Sequence, residues 1–153
     1  MTNSTGLDFY LSSELWIAVV VAFALVIGSV SFHYEMFRLL GRQLVRLPGP
    51  PRVHIVYLVL ALTLVHVIEI WLFAFGYFGL SSLGIGHLDG LERDTMFEYV
   101  YFSAVVYSTL GFGDVVPSGM LKLLTGVEGL VGFGLVTWSA AFTFLQMQRF
   151  WSE

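Results

Sequence analysis

Three stretches of the chain are long and apolar enough to cross a lipid bilayer, and this feature constrains the fold most. Residues 15–32 and residues 129–148 contain no Asp, Glu, Lys, Arg or His. Between Arg52 and Asp89, Glu69 is the only charged residue if the histidines are neutral. About 20 apolar residues in a helix cross the ~30 Å hydrocarbon core of a bilayer. We therefore predict transmembrane helices over residues 15–32, about 53–78 and about 119–147.

The composition agrees with a membrane protein. Charged residues make up 12 % of the 153 residues and the AVILMFWYC set makes up 57 %, whereas soluble domains have about 25 % charged residues. The net charge of −4 gives no basic surface for DNA or RNA. The fold class is thus an all-α integral membrane protein, and we expect no nucleic-acid partner, no cofactor and no enzymatic activity.

Basic residues predict the orientation of the helices. Five of the seven Lys and Arg residues lie between the first two spans or after the third, at Arg38, Arg42, Arg46, Arg52 and Arg149. Basic loops face the cytoplasm. We therefore expect a multi-pass protein of the inner (plasma) membrane, with the amino terminus outside and the carboxyl terminus in the cytoplasm.

The arginine-bearing stretch separates two parts of the chain. Residues 34–47 carry arginines at intervals of four, which favours a helix that either lies at the membrane interface or extends the first span. The Pro48–Gly49–Pro50–Pro51 sequence ends it in a turn. We divide the chain into an amino-terminal part, residues 1–52, and a second part, residues 53–153.

A shorter apolar piece lies between the second and third spans. Thr95 followed by Glu98 is typical of a capping box, and predicts a helix over about 95–108. The following residues contain Gly111 and Gly113, which interrupt the helix. Non-helical backbone at membrane depth must be buried in protein or line a water-filled path. The piece therefore predicts a re-entrant helix followed by extended backbone beside a polar path.

The interrupted sequence resembles a known ion-conducting motif. Thr109-Leu110-Gly111-Phe112-Gly113-Asp114 is similar to Thr-Val-Gly-Tyr-Gly-Asp, the selectivity filter of the potassium-channel pore superfamily. Tyr101 and Phe102 stand where that family has aromatic residues around the filter. The resemblance covers roughly residues 53–147, and it assigns an outer helix (53–78), a pore helix (95–108), a filter (109–114) and an inner helix (119–147).

The resemblance implies a potassium-selective channel that is a C4 homotetramer in the lipid membrane and conducts monovalent cations passively. Carbonyl oxygens can face one axis if the backbone dihedrals alternate, and four chains would then surround a dehydrated ion. The residues implied are K⁺ ligands at Thr109, Leu110, Gly111 and Phe112, a further filter residue at Gly113, and an outer-mouth acid at Asp114.

Some positions depart from the family pattern. Leu110 replaces Val, Phe112 replaces Tyr and loses a hydroxyl group, and Val105 stands where some bacterial members have an acid. These differences leave two alternatives to potassium selectivity. The chain could form a weakly selective Na⁺/K⁺ channel, or a pore-like membrane scaffold that does not conduct.

Two ionisable residues lie inside the second span. His66 and Glu69 share one helix face, and intramembrane ionisable groups are candidates for function. They could form a buried hydrogen bond or a proton sensor that controls gating. The sequence indicates no third and fourth ligand near them, so we expect no metal site. We interpret His33 as an anchor near the cytoplasmic interface.

Glu128 and Gly132 lie one turn apart in the third span. Glu128 could face the central cavity and attract cations, or face the pore helix as a structural group. Gly132 is near the position of the family's usual hinge glycine, and it could be a gating hinge or a close-packing site.

Overall fold

The first helix is longer than the first predicted span. The structure is a computed structural model that describes residues 13–151. Helix α1, Ser13–Arg46, is continuous over 34 residues, about 51 Å at 1.5 Å per residue. The arginine-bearing stretch therefore extends the first helix and is not a separate helix, one of the two alternatives that the sequence leaves open.

Helix α2 begins directly after the proline-rich turn. It runs over Pro51–Ser82 with Pro51 at its first position, and Pro50 before it has extended backbone at φ −71°. Proline suits a first helical position because no hydrogen bond to its nitrogen is lost there. The turn is short, so α1 and α2 pack side by side in opposite directions.

Helix α3, Met96–Tyr107, is the short helix that the sequence predicts between the long ones. Its 12 residues extend about 18 Å, too little to cross a bilayer. Thr95 is the N-cap residue, but its side chain makes no capping hydrogen bond. The predicted capping box is therefore wrong: the Glu98 N–H donates to the Thr95 carbonyl oxygen at 3.0 Å.

The all-α expectation misses one small element. Strand β1, Leu88–Asp89, pairs antiparallel with strand β2, Val116–Pro117, so that Leu88 faces Pro117 and Asp89 faces Val116. Next to this ladder, a Cβ at Gly90 would lie 2.2 Å from the Asp114 carbonyl oxygen. The loop before α3 is thus in contact with the segment after it, and that close approach requires glycine.

Helix α4, Leu121–Trp151, completes the fold. Helices α1, α2 and α4 are each long and apolar enough to cross a membrane, which confirms the three predicted spans. The main core joins all four helices; its fully buried residues include Ala18 of α1, Phe73 of α2 and Leu124 of α4. The arginines of α1 and α4 line one groove at the same end of the molecule, namely Arg38, Arg42, Arg46 and Arg149.

Candidate functional site

The interrupted segment, residues 109–114, begins where α3 ends. The Thr109 N–H donates to the Val106 carbonyl oxygen at 2.9 Å, and the Leu110 N–H donates to the Val105 carbonyl oxygen at 3.0 Å. These bonds close the last turn of the helix. Because Thr109 and Leu110 are hydrogen-bonded to the end of α3, the helix fixes the direction in which the segment starts.

The backbone of the segment alternates in handedness. Thr109 has φ +59°, Gly111 has φ +59° and Gly113 has φ +79°, whereas the residues between them have negative φ. Thr109 is the one non-glycine residue with positive φ among residues 13–151. Such a conformation costs a β-branched residue roughly 1–3 kcal/mol, and strain of this kind is typical of functional sites.

Alternating handedness determines where the carbonyl groups point. In a regular strand successive carbonyl groups point to opposite sides, but alternation between left-handed and right-handed residues turns them toward the same side. Glycine adopts the left-handed conformation without steric cost, and two of the three left-handed positions are glycine. The segment can therefore present a row of carbonyl oxygens to a cation.

The segment is open to the surroundings of the single chain. The side chain-bearing residues Leu110 and Phe112 are 62 % and 66 % exposed, and a Cβ at Gly111 or Gly113 would meet no atom within 4 Å. Exposed polar backbone is not stable in lipid. A membrane-embedded form of the chain therefore needs another protein surface or water beside this segment.

Tyr101 of α3 holds the far end of the segment. Its hydroxyl group donates a hydrogen bond of 2.6 Å to Asp114 Oδ2. This bond lowers the pKa of Asp114 below its usual range and raises the pKa of Tyr101. Asp114 therefore keeps its negative charge at mildly acidic pH. Tyr101, one of the two aromatic residues predicted to surround the filter, is therefore bonded to Asp114.

Glu128 faces α3 and not an open cavity. Its side chain is fully buried and accepts hydrogen bonds from the Tyr77 hydroxyl of α2 and the Ser103 hydroxyl of α3. The sequence allows Glu128 to face either a central cavity or the short helix, and the structure shows that it faces the short helix, α3. Glu128 of α4 therefore connects α2, α3 and α4 beside the middle of α3.

Gly132 is a point of close contact between helices. A Cβ at this position would lie 2.4 Å from the Tyr107 carbonyl oxygen and 3.0 Å from the Tyr107 Cα. Both neighbours are backbone atoms at the end of α3, and α4 is continuous through this position. The geometry thus favours close packing over a hinge, the other interpretation open from the sequence.

His66 and Glu69 lie together with His33 of α1, a contact that the sequence does not predict. His33 Nδ1 lies 2.9 Å from Glu69 Oε1, and His66 Nδ1 lies 3.2 Å from Glu69 Oε2. The Tyr107 hydroxyl also donates to Glu69 Oε2 at 2.6 Å. His33 is fully buried, so its interpretation as an interface anchor is wrong. Because His33 meets Glu69 beside His66, the expectation that no third possible metal ligand lies near the pair is also wrong. Proton sensing by the pair stays a prediction.

The positions of His33 and His66 relative to the proline turn between α1 and α2 could have predicted that the two residues meet. His33 lies 15 residues before Pro48, and His66 lies 15 residues after Pro51. Two antiparallel helices joined by a short turn bring residues at equal distances from that turn to the same level. Counting outward from the proline turn therefore places the two histidines at one depth.

The comparison with family models decides the class of the protein. A model described as an ion channel, Ion_trans_2, matches residues 55–149, which include α3, the interrupted segment and nearly all of α2 and α4. The chain belongs to this ion-channel family. It is a multi-pass membrane protein and not an enzyme. Comparison with curated proteins and with solved structures gives no match. All of α1, including His33, lies outside the region that the family model matches.

Proposed function

We propose that this ion channel is a potassium-selective homotetramer in which residues 109–113 form the selectivity filter. The observation that carries the proposal is the left-handed backbone at Thr109, Gly111 and Gly113. Three left-handed residues at alternate positions, one of them a threonine, are a costly arrangement for an ordinary turn. They suit a row of inward carbonyl oxygens that replaces the hydration shell of a cation.

Each chain would supply one row of ligands. Carbonyl oxygens of Thr109, Leu110, Gly111 and Phe112 form successive rings when four chains meet at an axis, and the Thr109 hydroxyl adds an inner ring. The side chains of Leu110 and Phe112 then pack away from the axis. Because the ion contacts only backbone oxygens, Leu in place of Val and Phe in place of Tyr leave the ligand set unchanged.

A closed ring of chains also accounts for the exposed surfaces of the single chain. One segment cannot surround an ion, and cyclic symmetry closes the path with identical interfaces. Leu110 and Phe112 of the segment are exposed, and so are large apolar side chains of α4 that include Leu130 and Phe133. We assign these faces to contacts with neighbouring subunits and lipid, with C4 symmetry as in the resembling superfamily.

Charge supports the passage of cations. The carboxyl end of α3 carries a partial negative charge from the helix dipole, and it lies at the base of the filter. At the other end Asp114 remains ionised because Tyr101 donates to it. Negative charge at both ends raises the local concentration of cations. We assign the arginine-bearing end of α1 and α4 to the cytoplasm.

The decisive experiment is ion flux through the purified chain in liposomes, with K⁺ or Na⁺ gradients and with Ba²⁺ as a blocker. We expect K⁺ flux well above Na⁺ flux and block by Ba²⁺. Equal K⁺ and Na⁺ flux would replace the proposal with a weakly selective cation channel. Absence of flux in an assembled oligomer would replace it with a non-conducting scaffold.

A glycine variant tests the filter assignment itself. Gly111→Ala introduces a Cβ at φ +59°, where no atom of the same chain lies within 4 Å, so within the chain the change acts on the backbone conformation and not on packing. We expect loss of K⁺ flux with the oligomer intact on size-exclusion chromatography. The matched control is Gly79→Ala, a helical position that is also free of contacts. Normal flux through Gly111→Ala would remove the filter assignment.

A further inference from the structure

We propose that His33, His66 and Glu69 bind a divalent transition-metal ion of the zinc class inside the membrane. One ligand atom from each of the three side chains lies within 4.8 Å of the other two. The histidines come from two different helices, α1 and α2. This proposal concerns a site distinct from residues 109–114 and does not rest on the potassium selectivity proposed above.

The spacing of the ligand atoms is close to that of a metal site. Ligand atoms at tetrahedral positions about 2.1 Å from zinc are about 3.4 Å apart. Glu69 Oε1 lies 2.9 Å from His33 Nδ1, and Glu69 Oε2 lies 3.2 Å from His66 Nδ1. The widest pair must close by at most about 1.4 Å to reach that spacing. A shift of this size is within the reach of changes in the side-chain torsion angles of the two histidines and Glu69.

The donor chemistry selects the class of metal. Two imidazole nitrogens and one carboxylate oxygen are a set used for zinc and similar ions, whereas Mg²⁺ and Ca²⁺ prefer oxygen ligands alone. The Tyr107 hydroxyl lies 2.6 Å from Glu69 Oε2 and 2.9 Å from His66 Nδ1. It stands where a fourth ligand, or a water molecule bonded to it, completes the coordination.

The groups around the three residues also suit a metal. A ligating histidine usually donates its other ring N–H to an oxygen, which fixes the ring. His33 Nε2 lies 3.1 Å from the Ser139 hydroxyl of α4, and Phe37 contacts the His33 ring with centroids 4.5 Å apart. His33 and Glu69 are fully buried, and the His66 side chain is 17 % exposed. A bound divalent cation would therefore give the intramembrane Glu69 carboxylate a partner of opposite charge.

The site would tie α1 to the channel region. His33 is the one ligand outside the family match, Tyr107 ends α3 two residues before Thr109, and Ser139 belongs to α4. A metal at this position therefore connects all four helices at one level, directly behind the start of the filter. The consequence is that α1 acts as more than a membrane anchor: it completes a binding site.

The test measures zinc bound to the purified full chain, prepared without a histidine tag, by equilibrium dialysis and elemental analysis. We expect about one Zn²⁺ per chain, and loss of this binding in His33→Gln and Glu69→Gln. His87→Gln is the matched control because His87 is 68 % exposed in the loop before α3 and lies outside the cluster. Ser139→Ala should weaken binding by about 10–100-fold, the usual effect of removing such an outer partner.

Three outcomes would overturn the proposal: no saturable zinc binding, binding unchanged by His33→Gln, or binding lost in His87→Gln. If a variant fails to fold, zinc K-edge absorption of the wild-type protein gives an independent answer. Two imidazoles in the first coordination shell support the site, and none or one contradicts it. Each readout is independent of ion flux, so failure of the metal site and failure of the proposed channel activity are distinguishable.

Discussion

Replacing Gly132 with alanine tests the contact between α4 and the end of α3. The added Cβ would lie 2.4 Å from the Tyr107 carbonyl oxygen and 3.0 Å from the Tyr107 carbonyl carbon. Ordinary contacts begin at about 3.5 Å, so α4 or the end of α3 must move by roughly 1 Å. Both are backbone atoms of Tyr107 at the end of α3, so neither can rotate away as the end of a flexible side chain could.

The expected magnitude follows from this overlap. Overpacking of this kind costs about 1–3 kcal/mol. Alanine in place of glycine within a helix otherwise stabilises it by roughly 0.5–1 kcal/mol. Gly126→Ala, in the same helix with no atom within 4 Å, isolates that helix effect. The difference between the two variants is therefore the strain alone, and we expect Gly132→Ala to be the less stable by about 1–3 kcal/mol.

The assay is loss of the folded protein, as the proposed oligomer, on heating in detergent, measured by size-exclusion chromatography, with K⁺ flux measured in parallel. Gly132→Ala should unfold at a lower temperature than wild type, and Gly126→Ala at the same or a higher one. If Gly132→Ala keeps the stability of Gly126→Ala but loses flux, the close-packing interpretation is wrong and Gly132 acts as a hinge.

Two further variants test hydrogen bonds near residues 109–114, the proposed filter. Tyr101→Phe removes the donor that lowers the pKa of Asp114, so the pKa of Asp114 rises toward its ordinary value. When the medium is acidified, K⁺ flux through this variant should therefore decline at a higher pH than flux through the wild type. Identical pH profiles would refute a role for this bond. Ser103→Ala removes one of the two hydroxyl partners of buried Glu128 and leaves part of that carboxyl group unsatisfied, which should destabilise the protein by about 1–3 kcal/mol. An unchanged unfolding temperature would show that the bond contributes nothing to stability.

Much of the architecture could be predicted because it depends on local signals. Charge-free stretches of membrane length indicate the long helices, the proline run ends α1, and glycines at alternate positions mark the end of α3. Each signal lies within the element that it predicts or a few residues beyond its end. The β1–β2 pair left no such signal, since its strands are two residues long and depend on contacts between distant loops.

The candidate site was harder to predict because its contacts join distant parts of the chain. His33 and Glu69 are 36 residues apart, and Ser103 and Glu128 are 25 residues apart. Hydropathy places each of these residues at a depth in the membrane, but not on the side of a helix that meets a partner. Only the packing of α1 against α2, and of α3 against α4, decides those pairs.

The two-residue ladder between β1 and β2 has a mechanical consequence. It couples the loop ahead of α3 to the backbone that leaves the interrupted segment, and Gly90 rests directly on the Asp114 carbonyl. A force on that loop is therefore transmitted within a few bonds to the end of residues 109–114, the proposed filter. An antibody fragment bound to this loop would therefore alter ion passage through the proposed filter without itself blocking the proposed conduction path.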